Sequence, residues 1–187
     1  MSTWQTSTTQ YLLNQVALSN SIRRLWVNNN QWIRALTYSI LYGIGDRQAI
    51  EQRLAQNAED FSTLFTQFYG QDVGNRVRAN YNSYIQSLAR MIEAYRDNDL
   101  SAVASRREEL NRISDDLAQI FARINRYWDL ATIQALIREL MDLTQSQIIR
   151  IMSGEFSQSI QDYDQAMEQA YRVSDELTTG ILKQFQV

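Results

Sequence analysis

The sequence predicts an all-α protein, an up-down antiparallel bundle of four long helices plus one or two additional helices. The 187 residues contain no proline and only 6 glycines, whereas average usage would give roughly nine prolines. Because proline breaks helix interiors and is common in turns, its absence favours long helices joined by very short turns. Apolar residues recur at alternating three- and four-residue steps almost throughout, which is typical of helices, and no strand pattern competes.

The first predicted helix runs from about residue 10 to residue 42. Its apolar seam has one polar member and reads Leu18, Ile22, Leu25, Asn29, Trp32, Leu36. The run Asn28-Asn29-Asn30 is unusual in the middle of a helix, because asparagine is a mediocre helix former. A buried asparagine in a seam can fix helix register or bind a partner chain, and the sequence leaves both interpretations open.

Residues 1–9 are polar and need not pack on the bundle. We expect a flexible N-terminal arm, or one that becomes ordered against a partner, followed by a single helical-bundle domain over residues 10–187. The segment Gly43-Ile44-Gly45 ends the first helix, and Asp46 can cap the second.

The second and third helices are separated by Gly70. The second helix covers residues 47–69, and its pattern predicts an interruption near Asn57. Asp72 can cap the third helix, which reaches about Arg96. The seam of the third helix comprises Val77, Tyr81, Tyr84, Leu88, Met91 and Tyr95.

The last three helices follow a turn at residues 97–99. The fourth helix extends to about Tyr127, and Asp129 can cap the fifth. Ser153-Gly154 interrupts the fifth helix, and the 3.6-residue period does not decide between a hairpin and a kink there. The last helix is predicted from about residue 157 to residue 185.

Composition excludes several classes of function. The formal net charge is −3, and the arginines are dispersed along the chain. Since phosphate recognition needs clustered cations, we predict no nucleic-acid partner. The chain has no histidine and no cysteine, so it lacks the usual transition-metal ligands and the usual groups of nucleophilic and acid–base catalysis. We therefore predict a non-enzymatic protein with no cofactor.

Carboxylates could still hold Mg²⁺ or Ca²⁺ inside a bundle. Glu139 and Asp142 lie three residues apart beside the seam residue Leu140, and Asp162 and Asp164 flank a tyrosine of the last helix. Acidic residues at these spacings are far more typical of solvated helix faces. The sequence therefore predicts no metal site.

Membrane insertion and secretion are not predicted either. The first ten residues have neither the basic region nor the apolar region of a secretion signal. No apolar run approaches the ~18 residues that a membrane span needs. We expect synthesis in the cytoplasm, with the final compartment left open, including a spore surface, a cell surface or the extracellular space.

The cations are almost all arginine, 17 of them against the single lysine Lys183. Arginine and tyrosine are enriched in protein–protein interfaces, whereas lysine is depleted there. The doublets Arg23-Arg24 and Arg106-Arg107, together with Trp4, are therefore candidate interface residues. The alternative explanation of the bias is genomic base composition.

Short motifs resemble a family of small all-helical proteins of Gram-positive, often spore-forming bacteria. The pattern Leu25-Trp26-x-x-Asn29-x-x-Trp32-x-Arg34 is similar to its first-helix motif, LWxxHxxWTR. Three further segments match other marks of the group: Phe68-Tyr69-Gly70, Ile124-Asn125-x-Tyr127-Trp128 and Gly180-Ile181-Leu182-x-Gln184-Phe185. The family has no established function.

The resemblance also implies an interior metal site that this chain has lost. Family members tend to carry three histidines, whose places are taken here by Asn29, Tyr84 and Leu140, with Glu139 retained before the third. Asn29, Tyr84, Glu139 and Leu140 are thus a candidate degenerate interior site.

Two hypotheses follow from the sequence. The first is a structural subunit that associates with copies of itself into a homo-oligomer, filament, coat or surface layer. The alternative is a protein that binds a metal or a small ligand through the degenerate interior site.

Overall fold

The computed structural model describes the backbone of residues 3–186 and the side chains of residues 12–186. The fold class predicted from the sequence is confirmed, since the described residues form six helices and no strand. The helices are α1 (Thr3–Tyr42), α2 (Arg47–Tyr69), α3 (Gln71–Arg96), α4 (Leu100–Ile124), α5 (Leu130–Met152) and α6 (Phe156–Phe185).

Local chemistry explains most of the helix ends. The carboxylates of Asp99 and Asp129 accept hydrogen bonds of 2.9 Å from the backbone N–H groups of Ala102 and Thr132, which caps α4 and α5. Gly70 alone separates α2 from α3, with φ +86°, a conformation that disfavours side chains with a Cβ.

Two of the predicted caps differ from the structure. Asp46 occupies the N-cap position of α2, but its side chain makes no capping hydrogen bond. Asp72 lies within the first turn of α3 rather than at its N-cap, which is Gly70. A carboxylate in the first turn still interacts favourably with the positive end of the helix dipole.

Three other helix predictions need correction or refinement. The interruption near Asn57 is wrong: α2 is continuous, and the buried amide of Asn57 bonds to neighbouring helices. Gly154 belongs to a hairpin turn, not a kink, because α5 and α6 lie antiparallel on either side of it. Helix α1 begins at Thr3 instead of about residue 10. The side chains of residues 1–9 lie outside the described residues, so the proposed arm stays a prediction.

Each helix packs antiparallel against the next one, and α6 returns to lie beside α1. The six helices therefore form a closed ring, inside which α1, α3 and α5 also contact one another. The described residues form six helices of 23 to 40 residues, in agreement with the predicted four long helices plus two additional ones. No helix in the described part of the chain is long and apolar enough to cross a membrane.

This topology gives the bundle two different ends. The end that we call the turn end carries the three connections at residues 43–46, 97–99 and 153–155. The opposite end, the terminal end, carries Gly70, the connection at residues 125–129 and the C-terminal end of α6. Arg23 of α1 pairs with Asp175 of the antiparallel α6, so Leu12 lies level with the end of α6 and also belongs to the terminal end.

Candidate functional site

The middle of the bundle contains a buried polar cluster where α1, α2 and α3 meet. The hydroxyl of Tyr81 donates to Asn29 Oδ1 at 2.5 Å and accepts from Asn57 Nδ2 at 3.0 Å. Asn57 Nδ2 also donates to the Leu25 carbonyl at 3.2 Å. Buried amides are costly unless they are hydrogen-bonded, so this cluster explains how the polar seam position Asn29 is tolerated.

Burial fixes the protonation state of this cluster. It raises the pKa of Tyr81 far above its usual range, although the hydrogen bond from Asn57 and the charge of Arg53 act in the opposite direction. Burial likewise raises the pKa of Tyr84. Both phenols are therefore neutral near pH 7, and neither can serve as a general base there.

A cavity of about 20 Å³ adjoins this cluster. Asn29 and Tyr84 both line it, together with Trp26, Tyr81 and the apolar side chains of α4 and α5. This volume is close to the ~10–15 Å³ that a single buried water occupies. This cavity between described residues has room for about one water molecule and no larger ligand.

The predicted interior site is only partly assembled. Asn29 and Tyr84 face the same cavity, as the resemblance implies. Leu140 is fully buried in the core but does not line that cavity, whose α5 wall is formed by Ile137 and Met141. Glu139 is exposed on the outer surface of α5, so its assignment to an interior site is wrong.

A rotation of about 100° per residue explains the error for Glu139. The buried face of α5 includes Ile137, Leu140 and Met141, which leaves residue 139 on the solvent side. In the described part of the chain, no three Asp, Glu, His or Cys side chains converge as a metal site would require.

Two atoms near the cluster lack a hydrogen bond to any described residue. They are the indole nitrogen Trp26 Nε1 and the amide oxygen Asn57 Oδ1, and both are buried. The hydroxyl of Tyr84 also has no hydrogen-bond partner among the described residues. Tyr81 is therefore the member of this cluster whose hydroxyl joins the helices, while Tyr84 acts mainly by packing.

Three of the four candidate interface arginines bind within their own chain. Arg23 of α1 pairs with Asp175 of α6 and lies 5.8 Å from the ring centre of Tyr171. Arg106 pairs with Glu109 on the same helix. Arg107 donates to Gln145 of α5 at 3.0 Å.

Arg24 differs from the other three, because it is exposed and makes no ion pair or hydrogen bond with the described residues. The side chain of Trp4 lies outside the described residues. Three of the four arginines that composition alone suggested as interface residues thus make ion pairs or hydrogen bonds within their own chain.

Arginines join neighbouring helices at several places on the bundle. On the side wall, their carboxylate pairs between helices are Arg23–Asp175, Arg78–Glu59 and Arg138–Asp115, and nearer the turn end they are Arg47–Glu93 and Arg150–Asp162. Arg34 joins α1 to α6 without a carboxylate, since its guanidinium lies 5.3 Å from the Tyr38 ring and 5.2 Å from the Tyr163 ring. These arginines are therefore engaged within one copy.

The ends of the bundle carry the exposed apolar surface. Among the described residues, every large apolar side chain that is strongly exposed lies at an end, except Tyr171 on the wall. At the turn end these are Tyr42, Ile44, Leu100, Ile149, Phe156 and Ile160. At the terminal end they are Leu12, Leu13, Val16, Tyr127, Leu130 and Phe185.

These two patches cannot be recognised from the sequence alone, because their members come from different helices. Leu100 is 68% exposed and Ile44 is 60% exposed, although they lie 56 residues apart in the chain. Only the up-down topology brings the three connections of the turn end together.

Comparison of the chain with protein-family models, with curated proteins and with solved structures gives no match. The family resemblance of the first-helix motif therefore stays a prediction.

Proposed function

We propose that this protein is a non-enzymatic, self-assembling structural subunit that contacts copies of itself through the two ends of its helical bundle. The observation that carries the proposal is the concentration of exposed apolar side chains at those ends. Contiguous exposed apolar patches larger than a few hundred Å² are rare on monomeric proteins, and such patches mark interaction surfaces.

Contact between opposite ends of the bundle determines the kind of assembly. The six described helices have 23 to 40 residues, which correspond to about 35 to 60 Å at 1.5 Å per residue. Contacts between opposite ends of a subunit generate a filament unless the rotation between copies closes a ring. Filament, coat and surface-layer subunits are the classes of protein that fit this behaviour.

The side wall is a weaker candidate for the contact between copies. Several of its arginines already bridge neighbouring helices of the same copy. Charged groups that are paired within one subunit gain little from a new partner, because exposed ion pairs contribute only about 0–1 kcal/mol. Arg24 is the member of the proposed arginine set that has no ion pair or hydrogen bond with the described residues, but it lies on the wall next to Arg23, about 18 Å from the level of Leu12.

Binding of a metal or a small ligand in the interior is supported less well than assembly through the ends. A metal- or ligand-binding function would need the site around Asn29 and Tyr84, but the cavity there holds about one water molecule. The four proposed members of that site also do not converge, since Glu139 points to solvent. We therefore favour assembly over ligand binding.

The proposal is tested by light scattering of the purified protein over a hundredfold range of concentration. We expect the average mass to rise well above the 21.8 kDa of one chain. The double variant Ile44→Gln/Leu100→Gln removes two apolar side chains from the turn end and should weaken association by about a hundredfold.

Tyr171→Gln is the matched control, because it also removes an exposed apolar side chain, but from the wall. It should assemble like the unmodified protein. A monomer at every concentration would overturn the proposal, and so would equal loss of assembly in the control.

A further inference from the structure

The two ends of the bundle differ in charge as well as in shape. The difference lies in the charged residues within four positions of each connection or helix end. At the turn end, five carboxylates face three arginines: Asp46, Glu93, Asp97, Asp99 and Glu155 against Arg47, Arg96 and Arg150. At the terminal end, three cations face two carboxylates: Arg123, Arg126 and Lys183 against Asp72 and Asp129.

Local pairing increases this difference. Every arginine of the turn end is ion-paired within the chain: Arg47 with Glu51 and Glu93, Arg96 with Asp97, and Arg150 with Glu155 and Asp162. The carboxylates in excess there include Asp46, which makes no capping hydrogen bond. The turn end therefore presents negative charge with no free cation among its described residues.

The cations of the terminal end have no carboxylate partner in the described part of the chain. Arg123 donates to the amide oxygen of Gln119 at 3.1 Å, and Arg126 donates to the hydroxyl of Tyr127 at 2.8 Å. Lys183 makes no ion pair with the described residues. Asp129 is already engaged, because its carboxylate caps α5. The terminal end therefore presents positive charge.

The two ends also differ in shape. Because Leu12 lies level with the end of α6, the backbone of α1 continues as a helix for about nine residues beyond it, or roughly 13 Å. The turn end consists of three short connections and has no projecting helix. Neither end is thus complementary to itself in charge or in outline.

We propose that copies of this chain associate head to tail, with the turn end of one copy docked on the terminal end of the next. This inference rests on the proposed function and specifies its geometry. Contact between opposite ends pairs apolar with apolar surface and negative with positive charge. Contact between two turn ends would bring their excess carboxylates together, which is unfavourable. The resulting contact is heterologous, and it leaves one free end of each kind on the growing assembly.

A mixing experiment with two end-blocked variants tests this geometry. The turn-end block is Ile44→Gln/Leu100→Gln, and the terminal-end block is Leu12→Gln/Val16→Gln. All four positions are more than half exposed, and glutamine is compatible with helices, so both variants should fold. The melting temperature of each variant checks this point, and Tyr171→Gln again serves as the wall control.

Head-to-tail docking predicts that each blocked variant alone is monomeric in sedimentation velocity, because each one lacks half of the only contact. An equimolar mixture should form dimers and stop there, since one copy supplies an intact terminal end and the other supplies an intact turn end. Dimers formed by either variant alone would reveal contact between like ends, which overturns the head-to-tail geometry and leaves the proposed function standing. An unmodified protein that stays monomeric would overturn both.

Salt provides a second readout on the unmodified protein. Attraction between oppositely charged ends is screened as the Debye length falls from about 10 Å at 0.1 M to about 3 Å at 1 M. Head-to-tail assembly should therefore weaken severalfold between 0.05 and 0.5 M sodium chloride. Assembly that strengthens over this range would indicate contact between ends of like charge and would contradict the inference.

Discussion

The side wall and the ends of this bundle expose different chemistry to solvent. On the wall, arginines bind carboxylates of neighbouring helices, as Arg138 binds Asp115 at 2.7 Å. At the ends, the large side chains of Leu100, Ile44 and Leu12 are more than half exposed. The comparison indicates that the wall serves the fold of one copy, whereas the ends are free to serve contacts between copies. Residues of the wall and interior should then change stability alone, and exposed residues of the ends should change association alone.

The largest expected effect is a loss of stability caused by disrupted packing at the terminal end. A Cβ on Gly180 would overlap the buried indole of Trp128, so Gly180→Leu should lower the free energy of unfolding by about 3 kcal/mol. Thr179→Leu places the same side chain at the exposed neighbouring position and should cost less than about 0.5 kcal/mol. Urea unfolding measures both variants. If both were equally stable, the packing of Trp128 on α6 would not be as described.

A second prediction concerns the interior cluster. Tyr81→Phe removes the hydroxyl that donates to Asn29 and accepts from Asn57. Asn57 Nδ2 keeps the Leu25 carbonyl, but leaving the buried Asn29 Oδ1 without its donor should cost about 1–3 kcal/mol. Tyr84→Phe is the matched control, because its hydroxyl bonds to no described residue, and it should cost less than about 0.5 kcal/mol. Association should be unchanged in both variants. A reversed order of the two stabilities would contradict the hydrogen bonding assigned to the cluster.

A third prediction tests whether the wall pairs matter only within one copy. Arg138→Gln removes the pair with Asp115 between α5 and α4. Since the arginine side chain is 52% exposed, the loss should be only about 0.5 kcal/mol, with assembly unaffected in light scattering. Weaker assembly without any loss of stability would place this arginine in a contact between copies.

The smallest expected effect is a pH dependence of the same pair. The hydrogen bond from Arg138 lowers the pKa of the Asp115 carboxyl in the folded state. Because the folded pKa lies below the unfolded one, the pair stabilises the fold above about pH 4, and this contribution is lost as the pH falls through the folded pKa. Asp115→Asn should therefore reduce the difference in stability between pH 7 and pH 3, while Asp116→Asn at the exposed neighbouring position should leave it unchanged.

Periodicity in the sequence was sufficient to predict most of the fold. The seams of α1 and α3 could be read directly, because a one-sided apolar stripe is a local property of a helix. The interruption predicted at Asn57 is wrong because the place of this residue in α2 depends on contacts with other helices, not on a local property of the sequence. Its amide is satisfied by Leu25 and Tyr81 on other helices, and such tertiary partners cannot be deduced from local propensity.

The candidate sites depended more strongly on tertiary structure. Glu139 and Leu140 are adjacent in the chain, but Glu139 is exposed and Leu140 is buried. A shift of one residue in matching a motif therefore exchanges a buried position for an exposed one. The partners of the arginines, such as Asp175 for Arg23, come from helices distant in sequence. The two apolar ends could be recognised only after the topology had placed residues as distant in sequence as Ile44 and Leu100 at the same end.

Electron microscopy of the purified full chain, in negative stain, tests the central claim most directly. Assembly through the ends predicts filaments whose axial repeat is one bundle length, about 45–60 Å for helices of 30 to 40 residues. Filaments or sheets with a repeat near the width of the bundle would indicate contact through the side wall. That result, or a field of separate monomers at high concentration, would contradict the account.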